Sequence, residues 1–263
     1  MGYRGYHQLQ LALARELPAA PLHQGDIQAD DPLKIVLAKV FAAGAQTLTD
    51  GMETVDEASF DAAVTALAGA PRVVFLGVGT SAPLAQDAAY RFRTIGVQAD
   101  APADVHVQHV AARLLGTADV CIAISHTGAT RETVLTLRAA REVGATTVAV
   151  TSFARSPISR WADIVLVTGG PEQSFRHEAM ASRLAHLSLL DALYVAVAMR
   201  SQTSAQSALD ATADVIARHR YPPQPAVREA KSGDRITRPN PRRRDLERDL
   251  RRAERSTGQL VPA

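Results

Sequence analysis

From Arg72 onward the chain alternates short apolar runs with helical stretches, and this alternation restricts the fold more than any other feature. Val73 to Leu76, Val97 to Ala101, Val120 to Ile124, Thr146 to Thr151 and Ile164 to Val167 each have the length of a strand. Helical patterns lie between them, at about Pro83 to Thr94, His106 to Leu115 and Thr130 to Gly144. After the fifth run a long helix is expected over about His177 to Arg200, and another over Ser204 to His219. Strands joined through helices pair in parallel, because the crossover returns the chain to the same end of the sheet. The expected fold is α/β: a five-stranded parallel sheet flanked by helices, a three-layer sandwich of the flavodoxin or Rossmann kind. Ligands of such sheets lie outside the carboxyl ends of the strands.

Two turns follow apolar runs directly and carry hydroxyls. The first is Gly77-Val-Gly-Thr-Ser-Ala82, the second Ser125-His-Thr-Gly-Ala-Thr130. Backbone N–H groups at a strand-to-helix turn, the partial positive charge of the helix start and Ser/Thr hydroxyls together suit a phosphate, with no lysine required. Both turns belong at one edge of the sheet. The candidate ligand residues are Gly79, Thr80 and Ser81 in the first and Ser125, His126, Thr127, Gly128 and Thr130 in the second.

Competing chemistry is weaker. Gly77 to Ala82 has the form G-x-G-x-x-G/A, with Asp100 near the end of the next strand, which is formally a dinucleotide fingerprint. A second hydroxyl turn has no use in such a site but is useful for a phosphosugar. His106, His109, His126, His177 and His186 form no H-x-x-x-H pair backed by carboxylates, so neither a metal site nor a cofactor is expected. An isomerase or lyase would need an acid–base group near the sugar carbons, for which Glu178 or His126, and behind them Glu172 and His177, are the candidates. Cys121, the single cysteine, lies inside an apolar run and reads as a buried structural thiol in a reducing, cytoplasmic setting. Asp87 and Arg91 are spaced for a surface ion pair. No uninterrupted apolar run has the length of a membrane span.

The flanks differ from the middle. Residues 1–17 carry Tyr6, Leu9, Leu13 and Leu17 at helical spacing, and 18–31 read as a linker. Asp31-Pro32 is expected to open a helix with Asp31 as its N-cap and Leu33, Val36, Leu37, Val40 and Phe41 on its apolar face. A second helix follows from about Asp56, with Phe60, Ala63, Val64 and Leu67 aligned. The folded region is expected to end near 220. Residues 221–263 are Pro- and Arg-rich with few large apolar side chains, the composition of a disordered basic tail. Charge follows the same division: residues 201–263 balance to +5 and the remainder to −3, so no nucleic-acid footprint lies on the folded part.

Taken together, Gly77-Val-Gly-Thr-Ser81, Ser125-His-Thr-Gly-Ala-Thr130 and Met180-Ala-Ser-Arg183 resemble the three signature turns of the sugar isomerase (SIS) domain. The similarity is greatest to the RpiR-like transcriptional regulators and covers about 31–220. It implies that Ser125, Thr127 and Thr130, with the N–H groups of His126 and Gly128, hold a phosphate. Thr80 and Ser81 would touch phosphate or sugar, and Ser182 would lie near the sugar ring. The resemblance further implies a phosphosugar sensor rather than an enzyme, a homodimer or tetramer, no membrane partner, and DNA contact only through a helix-turn-helix domain. Residues 1–17 resemble the last part of that domain, whose DNA-reading helices are not among these residues.

Overall fold

The computed structural model describes residues 27–170 and 180–219. The expectations for residues 1–17 and for 221–263 therefore lie outside the described residues, as do Glu172, His177 and Glu178. Residues 44–233 group as one compact unit, and the first 43 residues belong to another.

In that other unit, residues 27–43 contain the start of helix α1 (Leu33–Glu53). Asp31 does not cap it. Its carboxylate accepts from Lys39 Nζ at 2.8 Å and from the Gln28 N–H at 2.8 Å, so a salt bridge has displaced the cap, and these bonds hold its pKa low. Leu33, Leu37 and Phe41 of the helix's apolar face are exposed.

The larger unit continues with α2 (Glu57–Gly69), β1 (Val73–Leu76), a 3-10 turn (Gly79–Ser81), α3 (Ala82–Thr94), β2 (Ala99–Asp100), α4 (Val105–Arg113) and β3 (Val120–Ile124). It closes with α5 (Arg131–Glu142), β4 (Thr146–Thr151), a second 3-10 turn (Pro157–Arg160), β5 (Ile164–Val167), α6 (Ser182–Arg200) and α7 (Gln202–Arg218). All five strands pair in parallel in the order β2-β1-β3-β4-β5. Caps explain several helix starts. Asp56 accepts from the Ser59 N–H and Asp104 from the Val107 N–H, each satisfying a donor that the helix cannot.

The strand period of two sorts the core onto the two faces of the sheet. Val73, Phe75, Ile122, Val148, Val150 and Leu166 face one side, where α2, α3 and α6 bring Leu67, Phe92 and Leu193. Val74, Leu76, Cys121, Ala123 and Ala149 face the other, against Ala112 of α4 and Leu137 of α5. Burial pushes the Cys121 thiol pKa far up, so it packs as a small hydrophobe. Helix α6 is long and apolar enough to cross a bilayer. Arg183, His186 and Asp191 interrupt it, however, and Ala185, Leu189, Leu190, Leu193 and Val197 are buried in the core.

Two boundaries differ from expectation. Strand β2 is two residues long, not five, since only Ala99 and Asp100 pair with β1. Helix α6 starts at Ser182 rather than near His177; Met180 and Ala181 form a turn ahead of it.

Candidate functional site

The sheet order reverses direction at β1 and β3: the chain leaves β1 toward β2 and returns to add β3 on the other side. Those two strands are adjacent and in register from Val73 with Val120 to Leu76 with Ala123. Their carboxyl ends are therefore about 5 Å apart, the spacing of neighbouring strands. The turns at 77–81 and 125–130 leave from those ends, at the position where open α/β sheets take ligands. The topology thus brings together the two turns that the sequence singles out.

In the first turn, Gly77 is fixed by close approach: a Cβ there would lie 2.6 Å from the carbonyl oxygen of Ser81. Gln108, 1% exposed on α4, donates Nε2 to the Gly77 carbonyl at 2.9 Å and braces the turn from behind. Gly79 takes φ +61°. Thr80 is exposed and Ser81 half-buried, and the Ser81 side chain makes no capping bond to α3.

In the second turn, the Ser125 N–H donates to the Val150 carbonyl and Ser125 is 2% exposed. Its hydroxyl points along the turn to Thr130 Oγ1 at 3.4 Å. Thr127 Oγ1 accepts from the Ala129 N–H at 3.2 Å. Gly128 sits at φ +61°, its N–H bonded to the Ser125 carbonyl and its own carbonyl accepting from the Ile158 N–H at 2.9 Å. Thr130 is the N-cap of α5 yet makes no side-chain capping bond. One turn in, the buried Thr133 hydroxyl has no hydrogen-bond partner among the described residues. Two helix starts, α3 and α5, thus stand side by side with no capping side chain. The positive ends of both helix dipoles lie there, although the Ser81 and Ala82 N–H groups before and at the start of α3 already donate to the carbonyls of Val78 and Gly79.

Ser182 opens α6 after β5, and both it and Ser152 lie against Gly169: a Cβ there would be 3.1 Å from Ser182 Cβ and from Ser152 Oγ. Ser182 is 1% exposed and donates to the Gly170 carbonyl at 3.0 Å.

Two residues that sequence reasoning left without a role connect these regions. Ser152, just past β4, lies 2.9 Å from His126 Nδ1 and 3.1 Å from His186 Nε2. His186 is 2% exposed in α6, and burial first, then the neighbouring His126, push its pKa down to about 4. The position of Ser152 at a strand's carboxyl end was the one available signal for it. No spacing rule ties it to a histidine 34 residues on.

The depressed His186 has a consequence for stability. The unfolded chain takes up a proton near pH 6.5 and the folded chain resists it until about pH 4, so stability falls as pH drops through that window. Between pH 7 and pH 4.5 the loss is about 2 kcal/mol from this group. Urea unfolding of the wild type and of His186→Gln at both pH values checks this: the variant should lose less stability on acidification, by that margin.

A parallel sheet with its switch point between two hydroxyl turns, each leading into an uncapped helix, is the architecture of a sugar isomerase (SIS) domain. The SIS family model matches residues 66–196. The chain is 32% identical over 217 residues to an HTH-type transcriptional regulator of Caldanaerobacter subterraneus subsp. tengcongensis, covering 82% of this chain and 77% of that one. It is 30% identical over 225 residues to another from Haemophilus influenzae, covering 84% and 78%. Among solved structures it resembles the Vibrio vulnificus NanR protein complexed with ManNAc-6P, at a TM-score of 0.69 and 25% identity, over 82% of this chain and 77% of that one. It also shares its fold with the sugar isomerase domain of an RpiR transcription factor from Sphaerobacter thermophilus, at a TM-score of 0.63 and 24% identity, over 68% and 98%. The chain belongs to the HTH-type transcriptional regulators and carries a SIS domain over residues 66–196.

Proposed function

We propose that this chain senses a phosphosugar for an RpiR-like regulator of carbohydrate or amino-sugar metabolism. The observation that carries the reading is the pair of uncapped helix starts on adjacent parallel strands, each with a hydroxyl turn. The phosphate would accept from backbone N–H groups of the two turns such as those of His126 and Gly79, the Gly128 N–H being already donated to the Ser125 carbonyl, and from the hydroxyls of Ser125, Thr127, Thr130, Thr80 and Ser81. The sugar would extend past His126 toward Ser182. The ligand complex of NanR supports a phosphosugar as the ligand class. On this reading residues 32–220 are the sensor domain, 18–31 a linker and 221–263 an appended basic tail, with DNA contact left to a helix-turn-helix domain. The domain works as a homodimer or tetramer, and the sugar shifts it between arrangements by binding one better than the other.

An isomerase would use the same pocket. His126 is a candidate for its base, with Nδ1 2.9 Å from the Ser152 hydroxyl. The sensor reading is preferred because the similar chains are HTH-type transcriptional regulators.

Thermal unfolding tests the proposal. ManNAc-6P should raise the melting temperature more than NAD does, because a ligand selective for the native state stabilises it. Ser125→Leu should remove the shift. Turnover of ManNAc-6P followed by NMR should be absent, and robust conversion would make the chain an enzyme.

A further inference from the structure

Two arginines on separate elements flank the turn at 125–130. Arg131 follows Thr130 directly and is the first residue of α5. Arg155 lies in the segment after β4, which runs beside the turn and is bonded to it on both sides of Arg155. Ahead of it, the Ser152 N–H and the Thr151 hydroxyl donate to the His126 carbonyl, at 3.0 and 3.1 Å. Beyond it, the Ile158 N–H donates to the Gly128 carbonyl at 2.9 Å. Its neighbour Ser156 is so close to Gly128 that a Cβ on the glycine would fall 2.5 Å from the serine Cβ. The backbone at Arg155 is therefore fixed within a side chain's length of the turn.

Both guanidinium groups are exposed, and neither has a carboxylate partner among the described residues. Arginines elsewhere are paired: Arg113 and Arg138 with Glu142, Arg141 with Asp163, Arg93 with Asp100 and Arg200 with Asp61. Arg131 also stands where a helix disfavours a cation, at the positive end of its dipole. Glu132, the acidic residue of that first turn, is exposed and forms no ion pair with it. A residue that breaks a local rule with no compensating contact in the fold marks a functional position.

We infer that Arg131 and Arg155 are further phosphate-binding residues, closing on the phosphate from two sides and supplying the charge that the neutral donors of the turns lack. The inference rests on the phosphosugar reading of those turns. A phosphate monoester carries a charge of about −1.5 to −2 at pH 7, whereas N–H groups and hydroxyls carry none. Arginine is always ionised, and its fork of donors matches two phosphate oxygens. In the free chain both guanidinium groups stay hydrated, which leaves them available to an arriving anion.

Calorimetry on the full chain tests this with ManNAc-6P, and with inorganic phosphate measured by its competition with ManNAc-6P, at low and at physiological salt. Arg131→Gln and Arg155→Gln should each weaken both ligands roughly three- to tenfold, by the same factor for the two, and flatten the dependence of affinity on salt. The melting temperature of the ligand-free variants should not fall, because no partner is lost. Arg160→Gln is the control. It removes the same charge at the opposite edge of the sheet, beside Trp161, whose carbonyl accepts from Thr147 near the start of β4. Both affinities should be unchanged in it. Wild-type affinity in either Arg131→Gln or Arg155→Gln, an equal loss in Arg160→Gln, or a loss confined to ManNAc-6P would overturn the inference and leave the phosphate turns in place. A wild type that does not bind ManNAc-6P, or from which phosphate fails to displace it, would overturn the phosphosugar reading and the inference with it.

Discussion

Gly128→Ala is expected to remove phosphosugar binding and to destabilise the fold by about 3 kcal/mol. Two independent effects add. The residue sits at φ +61°, a conformation that costs an alanine about 1–2 kcal/mol. The added Cβ would also fall 2.2 Å from Ser156 Oγ and 2.5 Å from its Cβ. Rotating the hydroxyl away relieves the first contact but not the second, so the loop or the segment at Ser156 must move. That segment is bonded to the loop through the Ile158 N–H and the Gly128 carbonyl, so the two cannot part cheaply. Moving Gly128 moves the turn that the proposed function assigns to the phosphate. Affinity for ManNAc-6P should drop by roughly a hundredfold or more, a loss of about 2.7 kcal/mol. Calorimetry and urea unfolding measure the two effects separately. Gly79→Ala is the control: its φ is also +61° but nothing lies within 4 Å of the new Cβ, so its stability loss should be the smaller one.

The second large effect is in the core. Phe92→Ala should cost about 3–5 kcal/mol, because a fully buried ring leaves a cavity that the surroundings fill only in part. Its ring centroid lies 5.3 Å from that of Phe75 on β1 and 6.2 Å from that of Tyr194 on α6. The ring therefore ties the helix that starts at the first turn to both the sheet and α6. Guanidinium or urea unfolding should show the shift in midpoint with an unchanged slope. Phe92→Leu, which keeps most of the volume, should cost less than half as much.

Much of this was legible in the sequence. The parallel order follows from strand-length runs separated by helices, and the turns at 77–81 and 125–130 follow from glycine and hydroxyls placed right after Leu76 and Ile124. Local patterns determine both. What failed to show depends on partners far along the chain. Asp31 looked like a cap until Lys39, two turns on, took its carboxylate. Strand β2 is short because only the pairing with Val73 and Val74 defines it. The Ser152–His186 contact joins β4 to α6, and nothing in the periodicity of either predicts it. Ser182 does stand at a helix start, but its neighbourhood with Ser152 through Gly169 follows only from the folded chain.

The central claim is that two turns on neighbouring strands grip one phosphate without a lysine. A crystal structure of the chain with ManNAc-6P measures this directly. The phosphorus is expected between the turns, with oxygens at hydrogen-bond distance from Ser125 or Thr127 on one side and from Thr80 or Ser81 on the other. A phosphate found instead in the groove between Arg72 and Arg93, at the opposite, amino-terminal edge of β1 and β2, would contradict it.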